Sequence, residues 1–147
     1  MLTMAAVADA VCAVLYQKWP GWQIYRHTYP ENSERPALLV EVGKQTRKNM
    51  SKVLYEETAL ITVTCLEKTD SGGTVGIDAL AEAAETLHRT FSEGYLRVGC
   101  RAVRFAPQET TFETDCCKTV FSCGFVEANA GELPPPTMRV LNSRTKA

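Results

Sequence analysis

Between Val53 and Lys68 the chain alternates: Tyr55, Ala59, Ile61, Val63 and Cys65 fall on one side of a period-two pattern, with Thr58, Leu60, Thr62 and Thr64 on the other. Only an extended strand puts every second residue on one face, so one side of this segment is built for burial. The pattern predicts a strand longer than the usual length of about 5–6 residues, with part of it projecting beyond its sheet. A second alternation precedes it. In Pro36 to Lys44, Leu38, Val40 and Val42 share one face, while Ala37, Leu39 and Glu41 take the other. Pro36 stands at the start, where a missing N–H is tolerated. The turn between the two strands carries Lys44, Arg47, Lys48 and Lys52 and is expected to form an exposed basic tip.

Two segments have helical spacing instead. From Thr3 to Trp19, Val7, Val11, Val14, Leu15 and Lys18 recur at intervals of three and four, Thr3 is a candidate N-cap, and Pro20-Gly21 stops the run. The apolar stretch Met4 to Tyr16 lacks a basic leader and is interrupted by Asp9, so an amphipathic helix in a protein that is not secreted is expected, not a signal peptide. From Val75 to Phe91, Ile77, Leu80, Ala84, Leu87 and Phe91 define one face while Asp78, Glu82, Glu85 and Arg89 point away; Gly94 is a natural stop. A short strand is predicted at Gln23 to His27, and two more at Leu96 to Phe105 and Thr111 to Val126. His27 to Arg35 and Thr69 to Thr74 read as connectors.

The resulting order is α-β-β-β-α-β-β. Crossover helices between adjacent parallel strands are missing, which predicts an α+β fold: a mostly antiparallel sheet with both helices packed on one face. A chain of 147 residues is one ordinary domain, able to bury roughly 70% of its unfolded surface. Residues 1–128 are assigned to that domain. Residues 129–147, with Pro134, Pro135 and Pro136 and a polar, basic end, are assigned to an extended tail that cannot fold alone.

Composition removes several function classes. A net charge of −1 is not that of a generic nucleic-acid binder, which carries a basic excess. No apolar run approaches the ~18 residues of a membrane span. The cysteines Cys12, Cys65, Cys100, Cys116, Cys117 and Cys123 contain no C-x-x-C pair, and two histidines do not complete a metal set. Cys116 and Cys117 are adjacent and do not easily close an unstrained disulfide, while Cys65 and Cys123 sit at apolar strand positions as small core residues. No cofactor or metal site is expected.

Catalytic signatures are also missing: no G-x-S-x-G, P-loop, H-E-x-x-H or G-x-G-x-x-G occurs. His27 falls in a loop and His88 on the second helix without an identifiable partner, and His88 with Cys100 is the one conceivable thiol–imidazole couple. Glu56 and Glu57, adjacent in a strand, point to opposite faces and do not pair with each other. The chain therefore reads as a non-enzyme. Its basic tip admits a solvated hairpin end or contact with an acidic protein surface; direct nucleic-acid binding is disfavoured, since no aromatic residues are interleaved to stack bases. If copies assemble in a ring, Lys44, Arg47, Lys48 and Lys52 are expected to meet Glu56 and Glu57 across a heterologous interface.

One set of features extends further. The opening helix ends in Trp19-Pro20-Gly21 and is followed by Ile24-Tyr25; Arg35-Pro36 leads into an apolar strand; a charged hairpin leads into a strand ending Ile61-Thr62-Val63. The helix Leu80-Ala81-Glu82-Ala83-Ala84-Glu85-Thr86-Leu87 and the closing strand pair complete the series. In this order the chain, over about residues 2 to 127, resembles the tail terminator (tail completion) proteins of tailed phages and prophage-like particles. The resemblance implies a structural virion protein without active-site residues. Such a protein forms a ring, usually hexameric, on the head-proximal end of the tail tube, stops polymerisation and offers a docking surface to the neck or connector. The implied partners are other copies of the chain, the tail tube protein, the neck or connector protein and, in contractile systems, the sheath; no membrane is implied. Assembly in the host cytoplasm follows. Cysteine enrichment and the Pro-rich tail are departures from the family pattern. The alternatives are a head–tail connector or neck protein of the same particle and, from another class, a small ligand-binding regulatory domain, which needs a cavity of about 300 Å³ or more.

Overall fold

Thr3 starts the first helix because its hydroxyl accepts a hydrogen bond from the Ala6 N–H, at 3.2 Å, satisfying one of the orphan donors of the first turn. Helix α1 runs Met4–Lys18 and buries Met4, Val7, Ala8, Val11 and Leu15. Its chain leaves through the Trp19-Pro20-Gly21-Trp22 corner, where Gly21 has φ +88° and the Trp22 N–H returns to the Trp19 carbonyl. The computed structural model describes residues 2–28, 35–69 and 75–128; the tail assigned from residue 129 lies outside them.

Strand β1 (Gln23–Arg26) pairs in parallel with β2 (Ala37–Asn49), which pairs antiparallel with β3 (Leu54–Leu66). After helix α2 (Ile77–Thr90) come β4 (Tyr95–Val98), β5 (Arg101–Phe112) and β6 (Cys117–Ala128). One six-stranded sheet results, in the order β1-β2-β3-β6-β5-β4, with β1–β2 as its one parallel pair. The α+β class and the mostly antiparallel sheet agree with the sequence reading. Both helices share one continuous core with the inner sheet face, including Val11, Leu15, Leu38, Ile61, Leu87 and Phe121. Helix α1 touches β1 and β2 at one edge and β4 at the other, so the sheet curls around it. Phe91, Phe105 and Phe121 form the centre under α2, with ring centroids 4.7–5.1 Å apart.

Five details differ from expectation. The segment Leu96 to Phe105 is two strands, because Gly99 and Cys100 make a two-residue hairpin turn; Gly99, at φ +61°, takes its first central position, where glycine carries no Cβ penalty. The last strand begins at Cys117, since β5 continues to Phe112 through a bulge at Pro107. Strand β3 does not project: it is paired with β6 over its whole length and with β2 from Tyr55 onward. Finally, β2 runs five residues past Lys44, because a bulge at Gly43-Lys44 opposite Leu60 restarts the register with Gln45 against Ala59. Ile77 also leaves the apolar stripe expected for α2 and is 61% exposed.

Candidate protein-interaction site

The far end of the β2–β3 hairpin is where the helical cover thins, only the start of α1 reaching it through the Leu2 N–H bond to Glu127. Past the bulge, Gln45 and Arg47 take the inner-face positions that Leu38 and Val40 occupy earlier in the strand. Beneath them lies Glu57, 2% exposed, directly opposite Arg47. The Arg47 Nε–H donates to Glu57 Oε1 at 2.8 Å, Gln45 Nε2 donates to the other carboxylate oxygen, and the Arg47 guanidinium lies 4.1 Å from the centroid of the Tyr55 ring. A buried carboxylate needs such partners to remain charged. The carboxylate that the sequence reading sent to a neighbouring copy is thus engaged by its own chain.

On the outer face Arg104 of β5 reaches across β6 to Glu56, at 3.2 Å. It passes over Gly124, where a Cβ would collide with the guanidinium, so glycine keeps this path open. Arg101 pairs with Glu127 at 3.0 Å and donates to the Val126 carbonyl at 2.7 Å. Glu127 also accepts the Leu2 N–H at 2.8 Å, which ties α1's start to the end of β6. That bond is the main reason its carboxyl sits below the usual range; burial opposes the shift, and the Ala128 N–H and Arg101 add to it.

Lys44, Arg47 and Lys48, expected in a turn, therefore stand on a paired strand, and Lys52 alone of the four lies in the turn itself. The turn is ordered by Ser51, whose hydroxyl accepts from the Val53 and Leu54 N–H groups, and by the Met50 N–H to Leu54 carbonyl bond. Met50, Val53, Leu54 and Val126 are exposed there by 40–58%. The patch is an apolar tip set beside Lys48, Lys52 and Arg104, with Lys44 about 20 Å back along the strand at the bulge. Sequence pattern missed the apolar part because each residue looked like an ordinary strand or turn position. Pro134, Pro135 and Pro136 lie outside the described residues.

Other candidates are not brought into a reacting geometry. His88 Nε2 is 3.0 Å from the Thr110 hydroxyl, which is in turn 3.0 Å from Thr119. Cys100 sits at the opposite end of β5, about 30 Å away by strand rise. His27 lies just after β1, its N–H on the Val40 carbonyl. Of the free cysteines, Cys65, Cys116, Cys117 and Cys123 are buried. Glu113, Asp115 and Cys116 place ligand atoms within 4.8 Å of one another. Their carboxylates are already engaged, Glu113 by Lys118 at 3.4 Å and Asp115 by Arg35 at 2.8 Å. Arg35 also donates to the Glu67 and Asp115 carbonyls, which makes it a structural tie between β3 and the β5–β6 turn.

An open cleft of about 520 Å³ lies on the helix-free face, lined by Lys44, Thr46, Thr58, Leu60, Arg104 and Ser122 among others. It adjoins the basic patch and opens to solvent, unlike the enclosed, mostly apolar sites that hold small molecules. No helix among the described residues is long and apolar enough to cross a membrane.

A family model described as phage tail terminator protein matches residues 6–129. One solved structure is similar over 92% of this chain and 99% of its own, at 12% identity and a TM-score of 0.43. No curated protein matches.

Proposed function

The chain belongs to the phage tail terminator family, and from that premise we propose that it caps the head-proximal end of the tail tube as a ring, stopping tube polymerisation and presenting the docking surface for the neck or connector. The family fixes the coarser statement: this is a structural component of the phage tail that acts with other tail components, and not a known enzyme family. The finer reading names a hexamer of this chain on the tube protein, with the sheath as a further neighbour in contractile tails. Residues 1–128 form the ring body, and the Pro134-Pro135-Pro136 arm reaches an adjacent subunit at little cost in ordering entropy.

The observation that carries the reading is the hairpin end, where long paired strands run into an exposed apolar tip edged by Lys48, Lys52 and Arg104, with Lys44 behind them at the bulge. A tube cap has to match a repeating protein end through many modest contacts, and a rigid, charged, partly apolar projection is suited to that. In this reading Lys44, Arg47, Lys48 and Lys52 belong to the protein interface, with Glu56 and Glu57 holding Arg104 and Arg47 in place.

The test is light scattering of the purified protein with and without tail tubes from the same particle, each imaged by negative stain. Rings, or a six-fold cap on one tube end, are expected. A stable monomer that ignores tubes overturns the proposal and turns attention to a neck role.

A further inference from the structure

Among the described residues, six of the eight large apolar side chains exposed by 40% or more lie at two opposite ends of the sheet. Met50, Val53, Leu54 and Val126 are at the hairpin end; Ile77, 61% exposed, and Phe112, 45% exposed, are at the other, where α2 begins and β5 ends. Strand β6 connects the two ends, Ala128 at the first and Cys117 at the second, a span of about 35–40 Å by strand rise.

The ends carry opposite charge. At the hairpin end Arg47, Arg101 and Arg104 are matched by Glu57, Glu127 and Glu56, which leaves a basic excess in Lys48, set across the ladder from Glu56, and Arg97, with Lys44 further back at the bulge opposite Leu60. At the α2 end the two cations Arg35 and Lys118 are matched by Asp115 and Glu113. Glu67, Asp78, Glu82 and Glu109 then remain without a basic partner among the described residues, against Lys68 alone. Each end is thus an apolar centre within a rim of predominantly one sign, and the two net signs are complementary.

We propose that the hairpin end of one copy docks on the α2 end of the next, with Val53 and Leu54 against Ile77 and Phe112, and Lys44 and Lys48 facing Glu82 and Glu109. This rests on the reading of the chain as a ring-forming tail component and names the surfaces that close the ring. A second copy is the occupant because the complement of each end is present on the same polypeptide. Pairing two like ends sets same-sign rims together, which costs free energy, so the contact is head to tail. A head-to-tail contact repeats from copy to copy and forms a ring when its rotation closes, whereas a like-end contact stops at a dimer. The acidic partner of the basic hairpin is therefore the α2 end and not Glu56 and Glu57, which are engaged within their own chain.

The experiment uses the full chain and two charge-reversed variants, Lys44→Glu/Lys48→Glu and Glu82→Lys/Glu109→Lys, all at exposed positions. Association is followed by sedimentation velocity, and capping by negative stain of tail tubes. Each variant alone is expected to associate at least ~10-fold more weakly than wild type, as several rim charges reverse together. A mixture of the two is expected to regain assembly, because both of its alternating contacts pair opposite signs, and so is the fourfold variant carrying all four changes. Wild-type association should also weaken from about 0.05 M to about 0.5 M salt as the rims are screened. If wild type caps tubes and both variants cap equally well, this interface is overturned while the terminator reading stands. If the variants fail and neither the mixture nor the fourfold variant recovers, charge pairing between these ends is overturned. If wild type neither self-associates nor caps tubes, the terminator reading falls and this interface falls with it.

Discussion

Phe121 tests the architecture that holds α2, and with it the acidic end, on the sheet. Its side chain is fully buried, stacked on Phe105 at 4.7 Å and edge-on to Phe91 at 5.1 Å. Phe121→Ala removes the ring and leaves a cavity between a helix C-terminus and two strands that cannot collapse without breaking their ladder. The loss of transfer free energy plus that cavity amounts to about 3–5 kcal/mol. Two ring pairs, worth about 0.5–1.5 kcal/mol each beyond their area, place it in the upper half of that range. Phe121→Leu keeps most of the volume and is expected to cost about 1–2 kcal/mol. Against a total stability of about 5–15 kcal/mol, the alanine variant should still fold, with its Tm lowered by about 10–20 °C. Urea titrations of both variants read the change as a lower midpoint at constant slope. Tyr16→Ala, on the exposed side of α1 at 68% exposure, is the control and should stay within about 0.5 kcal/mol of wild type. A loss below about 1 kcal/mol for Phe121→Ala would refute the packing of α2 on β5 and β6. The charge reversals at Glu82 and Glu109 should leave the urea midpoint nearly unchanged, which separates an assembly defect from an unfolding one.

Two further outcomes follow from ionisable groups. Folding lowers the Glu127 pKa, so its stabilisation is fully present above the unfolded value of about 4.3 and is lost as pH falls through the folded value; Glu127→Gln should cost about 1–2 kcal/mol at pH 7, and that gap should close in acid urea titrations, a constant gap refuting the linkage. Cys100, exposed at the β4–β5 turn, should react first with a chromogenic disulfide in the native protein at pH 8. Cys12, whose thiol burial pushes up, should follow slowly, and Cys116 and Cys123, pushed up to about 11 chiefly by burial, only on unfolding; fast reaction of several thiols would refute the core placement.

Where a helix lies over the sheet, its faces were readable from sequence alone. The alternation of Leu38 and Val40, of Ile61, Val63 and Cys65, and of Phe121 and Cys123 reports burial under α1 and α2, and the structure buries every one of these residues. Thr3 as N-cap and Pro20-Gly21 as a stop were readable for the same reason, since each answers a local demand of the backbone. The Gly99-Cys100 turn was not, although its mark is present: the buried apolar residues change phase across it, from Leu96 and Val98 at even positions to Val103 and Phe105 at odd ones, with Gly99 between.

The hairpin end escaped the sequence for a deeper reason. Past the Gly43-Lys44 bulge Gln45 and Arg47 of β2 are exposed, while Tyr55, Glu57 and Phe125 on the neighbouring strands stay buried near the start of α1, so the period-two signal disappears from β2 although the strand continues. Loss of hydrophobic pattern reads as loss of strand, which puts Lys44, Arg47 and Lys48 in a turn although they stand on β2. In the proposed reading, the positions at which the pattern fails are those that meet a partner and not the core. A buried Glu57 holding Arg47 over Tyr55 spends burial on a charged group where an aliphatic pair would fill the space more simply. What it secures is a rigid cationic surface on a strand, and a rigid surface loses less conformational entropy on docking than four lysine and arginine side chains on a free turn. The same logic accounts for Ile77: helical periodicity assigned it to the core, yet it stands at the first residue of α2, beyond the sheet it was expected to cover. Both differences thus fall at the two ends proposed for the subunit contact, each where side chains of a regular element stand exposed, as the docking of a second copy requires.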